Sequence, residues 1–394
     1  MADAGIATSA LGTAGLEDSP TKLSPRYTVP QRLKFAAIAF VVQKLLLAPV
    51  FAIHRLHDFL VPSRAPRPTL IKTYPARRGL HVRIFFPPGH AKNDTTNRLP
   101  TLLTIHGGGF VVGTPRDNDE WNATFASRHN FLVVALNYGK APGSPFPAPI
   151  YDLETLIGCV LADESLPIDP SKVALAGWSA GGNLALAVSQ LEAVRSRVRA
   201  VIPLYPVVDF VTGSETKLLT RRYKPGLGGF RARESDYLMS MAGVFNWAYV
   251  DAGVRCDHAL LSPYYADRES FPPAVFVIGA EMDMLGQEAW RFACKLAGRK
   301  VPEVDEAMGR EEVGAVGELV LEGDERFAFE ERDEEGGRFY RWLLVPDTIH
   351  GFDQEQISRM VRDKVTMEDA MLKRDKVVGL IGEWLLSGPL RDGK

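Results

Sequence analysis

Short apolar runs recur along the chain, each closed by glycine, proline or a polar turn. They include Val82 to Phe86, Thr101 to Ile105, Phe131 to Leu136, Val173 to Ala176, Ala200 to Leu204, Ala274 to Ile278 and Phe339 to Val345. Runs of this length flanked by turn residues predict buried strands. Between them lie stretches at helical spacing: about 149–162, the apolar segment opening at Leu184, one ending near Leu296, and a closing helix pair over 361–386. Strands alternating with helices predict an α/β fold with a mostly parallel central sheet flanked by helices on both faces.

Two segments stand outside this rhythm at the N-terminal end. Residues 1–30 are rich in Ala, Gly, Ser, Thr and Pro without periodicity and read as a disordered tail. The stretch that opens at Phe35 and closes at Ile53 is nearly all apolar over 19 residues, close to the roughly 20 that cross a bilayer. Gln43 and Lys44 sit in its middle, where a lysine costs about 2.5–3.5 kcal/mol to insert. Pro49 interrupts it, and Arg32, Lys34, Arg55, Arg64 and Arg67 flank both ends. Three readings stay open: a cap helix over the site, a helix lying on a membrane surface, and a span. The domain plan is therefore a tail at 1–30, an apolar cap or membrane-associated segment at 31–78, and a catalytic domain at 79–390.

Composition narrows the field. The chain is 394 residues long with a formal charge of −2, which gives no electrostatic footprint for nucleic acid. Cys159, Cys256 and Cys294 are too few and scattered for a disulfide framework or zinc cluster. They fit a reducing, intracellular setting, whether cytoplasmic or membrane-associated. Residues 210–257 break the strand–helix alternation and read as a cap insertion. Its basic residues (Lys217, Arg221, Arg222, Lys224, Arg231, Arg233) read as a solvated face. Residues 302–335 hold 14 acids against three arginines and read as a self-repelling surface insertion. The sequence sets no oligomeric state.

The chemistry gathers at strand ends. Gly177-Trp178-Ser179-Ala180-Gly181 joins an apolar strand to a helix, a G-x-S-x-G pattern that lifts a serine hydroxyl above the sheet edge on a strained turn. His106-Gly107-Gly108-Gly109-Phe110 follows another strand, where successive glycines can turn backbone N–H groups into a cavity. His106 reads as an orienting residue. Glu281 and Asp283 both follow the strand ending at Ile278, and either could orient a histidine. His350, in the loop after the last strand, can reach back to the serine. The remaining histidines have no such setting.

The order Ser179, Asp283, His350 is that of α/β-hydrolases. Over roughly residues 80–385 the chain resembles the hormone-sensitive-lipase-like branch of carboxylesterases. The likeness rests on His106 to Phe110, Pro145-Phe-Pro-Ala148, Gly177 to Asn183, Tyr205-Pro206, Pro272-Pro273, Asp283-Met-Leu285 and His350-Gly-Phe352. It implies an α/β-hydrolase fold with a helical cap. It further implies Ser179 as nucleophile, His350 as base and Asp283 as its partner, with an oxyanion hole from the N–H groups of Gly107, Gly108 and Ala180. A small-molecule ester is the substrate so implied, with no metal or organic cofactor required. An acyltransferase or amidase with the same triad, or a non-hydrolysing receptor on the same fold, are the alternatives. Two features depart from the branch: Trp178, where an acidic residue is frequent, and the acidic stretch at 302–335.

Overall fold

A computed structural model describes residues 22–60, 66–333, 337–354 and 363–391. Residues 1–21, Arg64, Glu334, Glu335 and residues 361–362 lie outside these. Among the described residues nine strands form one sheet: β1 (Leu70–Lys72), β2 (Val82–Phe85), β3 (Leu99–Ile105), β4 (Leu132–Leu136), β5 (Ile168–Trp178), β6 (Ala200–Leu204), β7 (Ala274–Ala280), β8 (Ala328–Asp333) and β9 (Arg338–Val345). The order is β1-β2-β4-β3-β5-β6-β7-β9-β8. The stretch from β4 through β3, β5, β6 and β7 to β9 is parallel, and β1, β2 and β8 add antiparallel edges.

Parallel strands covered on both faces must be apolar throughout; β4, β6 and β7 are buried at every position. The helices are α1 (Val29–Phe40), α2 (Ala48–Leu60), α3 (Asp119–His129), α4 (Ala148–Leu161), α5 (Ala180–Ser189), α6 (Glu192–Arg195), α7 (Ser214–Leu219), α8 (Met239–Tyr249), α9 (Gly286–Leu296) and α10 (Lys364–Ser387). The core lies in two layers. One packs α4, α5 and α9 on one face of the sheet, and the other packs α3 and α10 on the opposite face.

Four expectations need correction. From Lys22 the tail is already docked: Leu23 bridges Arg255, and the buried Ser24 exchanges backbone bonds with Val254 and Gly253. Thr28 and Gln31 then form a capping box, with Pro30 in the first turn of α1. The closing segment is one 24-residue helix, α10, begun by Asp363 accepting from Val365 and Thr366 N–H.

The acidic stretch is not a loose surface insertion. Met308 and Phe327 are fully buried, and 328–333 forms the edge strand β8 along β9. Charge density hid the few large apolar residues that anchor it. The basic residues of the insertion are not a solvated face either: Lys217, Lys224 and Arg231 are buried on carboxylates.

A π-helical turn, Val41–Leu47, joins α1 to α2, so the helix runs on through Leu60. There the Ala48 N–H bonds the Gln43 carbonyl, one residue further back than in an α-helix. That wider turn accommodates Pro49, which has no N–H and would crowd the carbonyl four residues earlier.

Phe35, Gln43 and Asp58 are among the side chains that fix this long helix. Phe35 rests on the open face of Gly243 and on Trp247, ring centroids 6.1 Å apart. Gln43 Nε2 donates to the carbonyls of Val111 and Ala141, both at 2.7 Å. Asp58 pairs with Arg83, buried on β2, at 2.6 Å and with Arg116. By length and composition the helix could cross a membrane, yet only Ala39 is buried.

Candidate active site

Ser179 sits between β5 and α5 at φ +55°, ψ −120°, a conformation that non-glycine residues rarely adopt. The turn is possible because the residues two positions away on either side, Gly177 and Gly181, have no side chains. A Cβ on Gly177 would lie 2.2 Å from the Gly181 carbonyl oxygen, and one on Gly181 would lie 2.2 Å from that of Ile105. Asn183 ties the turn from below, its Nδ2 donating to Val207 O and Leu261 O at 2.9 Å. The peptide N–H groups of the first α5 turn, Ala180 among them, make up the positive end of that helix.

His350 Nε2 lies 2.8 Å from Ser179 Oγ, and Nδ1 lies 2.6 Å from Asp283 Oδ2. A carboxylate only accepts, so Nδ1 carries the hydrogen and Nε2 is left to accept from the serine. Asp283 is fully buried, and its Oδ1 accepts from Leu285 N at 2.9 Å. Burial alone would lower the proton affinity of His350. The charge and hydrogen bond of Asp283, with Asp236 and Asp353 further away, outweigh burial and hold the imidazole above its ordinary value.

Glu281 faces elsewhere. Its Oε2 accepts from Lys224 Nζ at 2.8 Å and from Asp347 N at 2.7 Å, and its Oε1 accepts from Arg310 N at 2.8 Å. Lys224 also donates to Asp347 Oδ1 at 2.6 Å. The two acids that the sequence left as equals are thus divided by their partners. One meets the histidine; the other clamps the histidine loop from behind.

The glycine loop lies against the serine. A Cβ on Gly107 would meet Trp178 O at 3.0 Å and Ser179 Cβ at 3.3 Å. Gly108 and Gly109 have φ of +110° and +58°, and a Cβ on Gly108 would strike Val112 O at 2.3 Å. His106 orients this turn: its ring stacks on Tyr138 at 4.5 Å, and Nδ1 lies 2.8 Å from Gly107 O. The insertion covers the same place. Phe245 of α8 occupies the space a Gly109 side chain would need, and the Tyr237 hydroxyl donates to His350 O at 3.0 Å.

Sequence reasoning missed Lys224, Tyr205, Asp236, Asp347 and Asp353. Each reaches the site through a partner distant in sequence, as Lys224 does through Glu281 and Asp347. Trp178, as a departure from the branch pattern, and Tyr205, in the Tyr205-Pro206 piece of the resemblance, carried a signal.

A family model described as the alpha/beta hydrolase fold matches residues 102–310. An acetyl-hydrolase of Streptomyces hygroscopicus is 29% identical over 185 residues, covering 46% of this chain and 56% of that protein. A carboxylesterase of Mycobacterium tuberculosis is 34% identical over 234 residues, covering 56% and 66%. The chain thus spans about half the length of the first of these relatives. Among solved structures, the esterase of Pyrobaculum calidifontis superposes with a TM-score of 0.56 at 20% identity, covering 90% of this chain and 92% of that one. The carboxylesterase EstE1, cloned from a metagenomic library, gives 0.58 at 22% identity over 86% and 94%; both show likeness of fold. The chain belongs to the α/β-hydrolase fold family, in its hormone-sensitive-lipase-like branch.

Proposed function

We propose that the chain hydrolyses carboxylic esters of small to medium apolar molecules through an acyl-enzyme on Ser179. The observation that carries this reading is the relay from Ser179 Oγ through His350 to Asp283, at 2.8 and 2.6 Å. Esterase-named relatives support it. As the serine attacks the ester carbonyl carbon, its proton passes to His350 Nε2 and the carbonyl oxygen takes the negative charge. The N–H groups of Gly107, Gly108 and Ala180 receive that charge, each donor of this kind being worth roughly 10²–10³ in rate. Collapse expels the alcohol, which leaves with the proton held on Nε2. Water then repeats the sequence on the acyl-serine and releases the acid. Asp283 holds the tautomer and stabilises the imidazolium.

The exposed side of Val29–Leu60 extends the same reading to location. Phe40, Leu45, Leu46, Ile53, Leu56 and Phe59 are all more than half exposed, an apolar surface that marks an interaction site. The helix also carries Arg32, Lys34, Lys44 and Arg55 against a single acid, Asp58, which is already paired. An apolar face with surplus cations suits an anionic lipid surface. With Gln43 bonded beside the glycine loop, the helix would bring that surface close to the site.

The test of the chemistry is a fluorophosphonate probe with a series of p-nitrophenyl esters of graded chain length. The wild type is expected to be labelled and to turn over the short and medium esters, and Ser179→Ala to do neither. Equal labelling of both proteins would overturn the proposal.

A further inference from the structure

Asp353 lies in the histidine loop and is almost wholly buried. Its Oδ2 accepts from the Trp178 indole Nε1 at 2.9 Å. Its Oδ1 accepts a short bond from the Tyr205 hydroxyl and a longer one from Gln354 Nε2 at 3.4 Å. Trp178 is the residue before Ser179, at the end of β5. Tyr205 follows β6 at φ +35°, and its ring stands edge-on to the His350 imidazole with centroids 4.7 Å apart. One carboxylate therefore collects the end of the serine strand, the end of the next strand and the loop carrying the base.

These bonds explain the departure at Trp178. Where the branch often places an acid before the serine, this chain places a hydrogen-bond donor. The acid that the donor meets comes from the opposite loop. A carboxylate is costly to bury unless its oxygens are filled, and two of the groups that fill these, Trp178 and Tyr205, lie next to Ser179 and against His350. Both bonds reach beyond the pairing of β5 with β6, to the loop that carries His350.

We propose that Asp353 is a positioning residue for ester hydrolysis: through Trp178 and Tyr205 it holds the Ser179 turn and the His350 ring in register. The proposal rests on the reading of Ser179, His350 and Asp283 as the catalytic triad. A displacement of about 1 Å between reacting groups can cost up to 10²-fold in rate, so a hub that joins both carriers acts on kcat rather than on substrate binding.

The groups facing His350 are Asp283 and Ser179 in hydrogen bonds, Tyr205 and Tyr237 by their rings, and the charges of Asp236 and Asp353. Asp353 is among the charges that favour the imidazolium. Removing it lets His350 remain neutral to lower pH, so the acid limb of kcat/KM moves down.

The experiment compares the wild type, Trp178→Phe, Tyr205→Phe and Asp353→Asn on p-nitrophenyl butyrate. Active protein is counted by fluorophosphonate labelling of Ser179. Expected are a fall in kcat of about tenfold in Trp178→Phe and Asp353→Asn with KM within about twofold. The double variant Trp178→Phe/Asp353→Asn should lose less than the product of the two single losses, because an amide at 353 offers one acceptor oxygen where the carboxylate offers two, and the two changes overlap at the indole bond. Asp353→Asn should also shift the acid limb downward. Should Asp353→Asn fail to fold, Trp178→Phe and Tyr205→Phe, which remove one donor each and keep the carboxylate, still decide the matter. A kcat within twofold of wild type in both overturns the proposal. So does a lowered melting temperature with unchanged kcat per labelled site and an unmoved acid limb. If the wild type itself is not labelled, the triad reading falls first and this proposal with it, a result distinct from the others.

Discussion

Two apolar helices of this protein have opposite fates. In α5 all ten residues are buried; along Val29–Leu60 only Ala39 is. The inner helix is built of Ala, Gly, Leu and Val, and its small residues let backbone approach backbone: Gly181 lies under the Ile105 and His106 carbonyls, and Gly182 against Pro206. The outer helix adds to its alanines many large residues, Leu, Phe, Val and Ile, and among its anchors are Phe35 on Trp247, Gln43 and Asp58. Apolar composition decides that a helix seeks an apolar environment. Side-chain size and the few polar anchors decide whether the protein itself supplies it.

The inner half of this comparison breaks most severely through the relay it supports. Asp283→Asn is expected to lower kcat by on the order of 10⁴, by analogy with the serine-protease triad, whereas Glu281→Gln should leave most of kcat and act on thermal stability. Steady-state kinetics on a short ester checks both. Gly181→Val puts branched atoms where even a Cβ would lie 2.2 Å from Ile105 O. A loss of about 3 kcal/mol or failure to fold is expected, read by thermal unfolding.

On the outer half, Leu45→Ser with Ile53→Ser and Phe59→Ser should weaken binding to anionic vesicles by about 1,000-fold, since three large side chains at the low end of about 1.5 kcal/mol each sum to about 4.5 kcal/mol. Flotation measures this, and turnover of a soluble ester should stay within twofold. The pH profile gives a smaller effect. On the reading of His350 as the base, activity needs the neutral ring, so with its pKa raised activity is expected to be full above that value and to fall about tenfold per unit below it. The acid limb should therefore lie above the ordinary imidazole value, and below that of the wild type in Asp283→Asn. The smallest effect sharpens the contrast with Gly181: Phe59→Ser alone, at an 85% exposed position, should change folding stability by no more than about 0.5 kcal/mol.

Much of the sheet was readable because parallel strands buried on both faces are continuous apolar runs. The runs ending at Ile105, Leu136, Leu204 and Val345 coincide with the ends of strands. The serine turn, the glycine loop and the histidine loop were readable because each sits where a strand stops. What escaped was long-range pairing. Lys224 looks like any surface lysine in sequence; its burial depends on Glu281 and Asp347, 57 and 123 positions away. Met308 and Phe327 are equally hidden, in short apolar stretches set within an acidic segment, and their burial follows from what they pack on. The edge strand 328–333, read from local charge alone, had no alternation strong enough to announce it.

That edge strand has a consequence for the protein among its own copies. β8 pairs with β9 on one side only, and an open strand edge is a template on which another chain can grow a shared sheet. Along it stand Glu330, Glu331, Arg332 and Asp333, and the preceding loop adds Asp324 and Glu325. Two such rims brought together would set three acids and one arginine of each strand against the same set, an acidic excess that the ion pairs to Arg268, Arg299 and Arg332 offset only in part. The acids that disguise the strand thus also make it a poor template for a second copy.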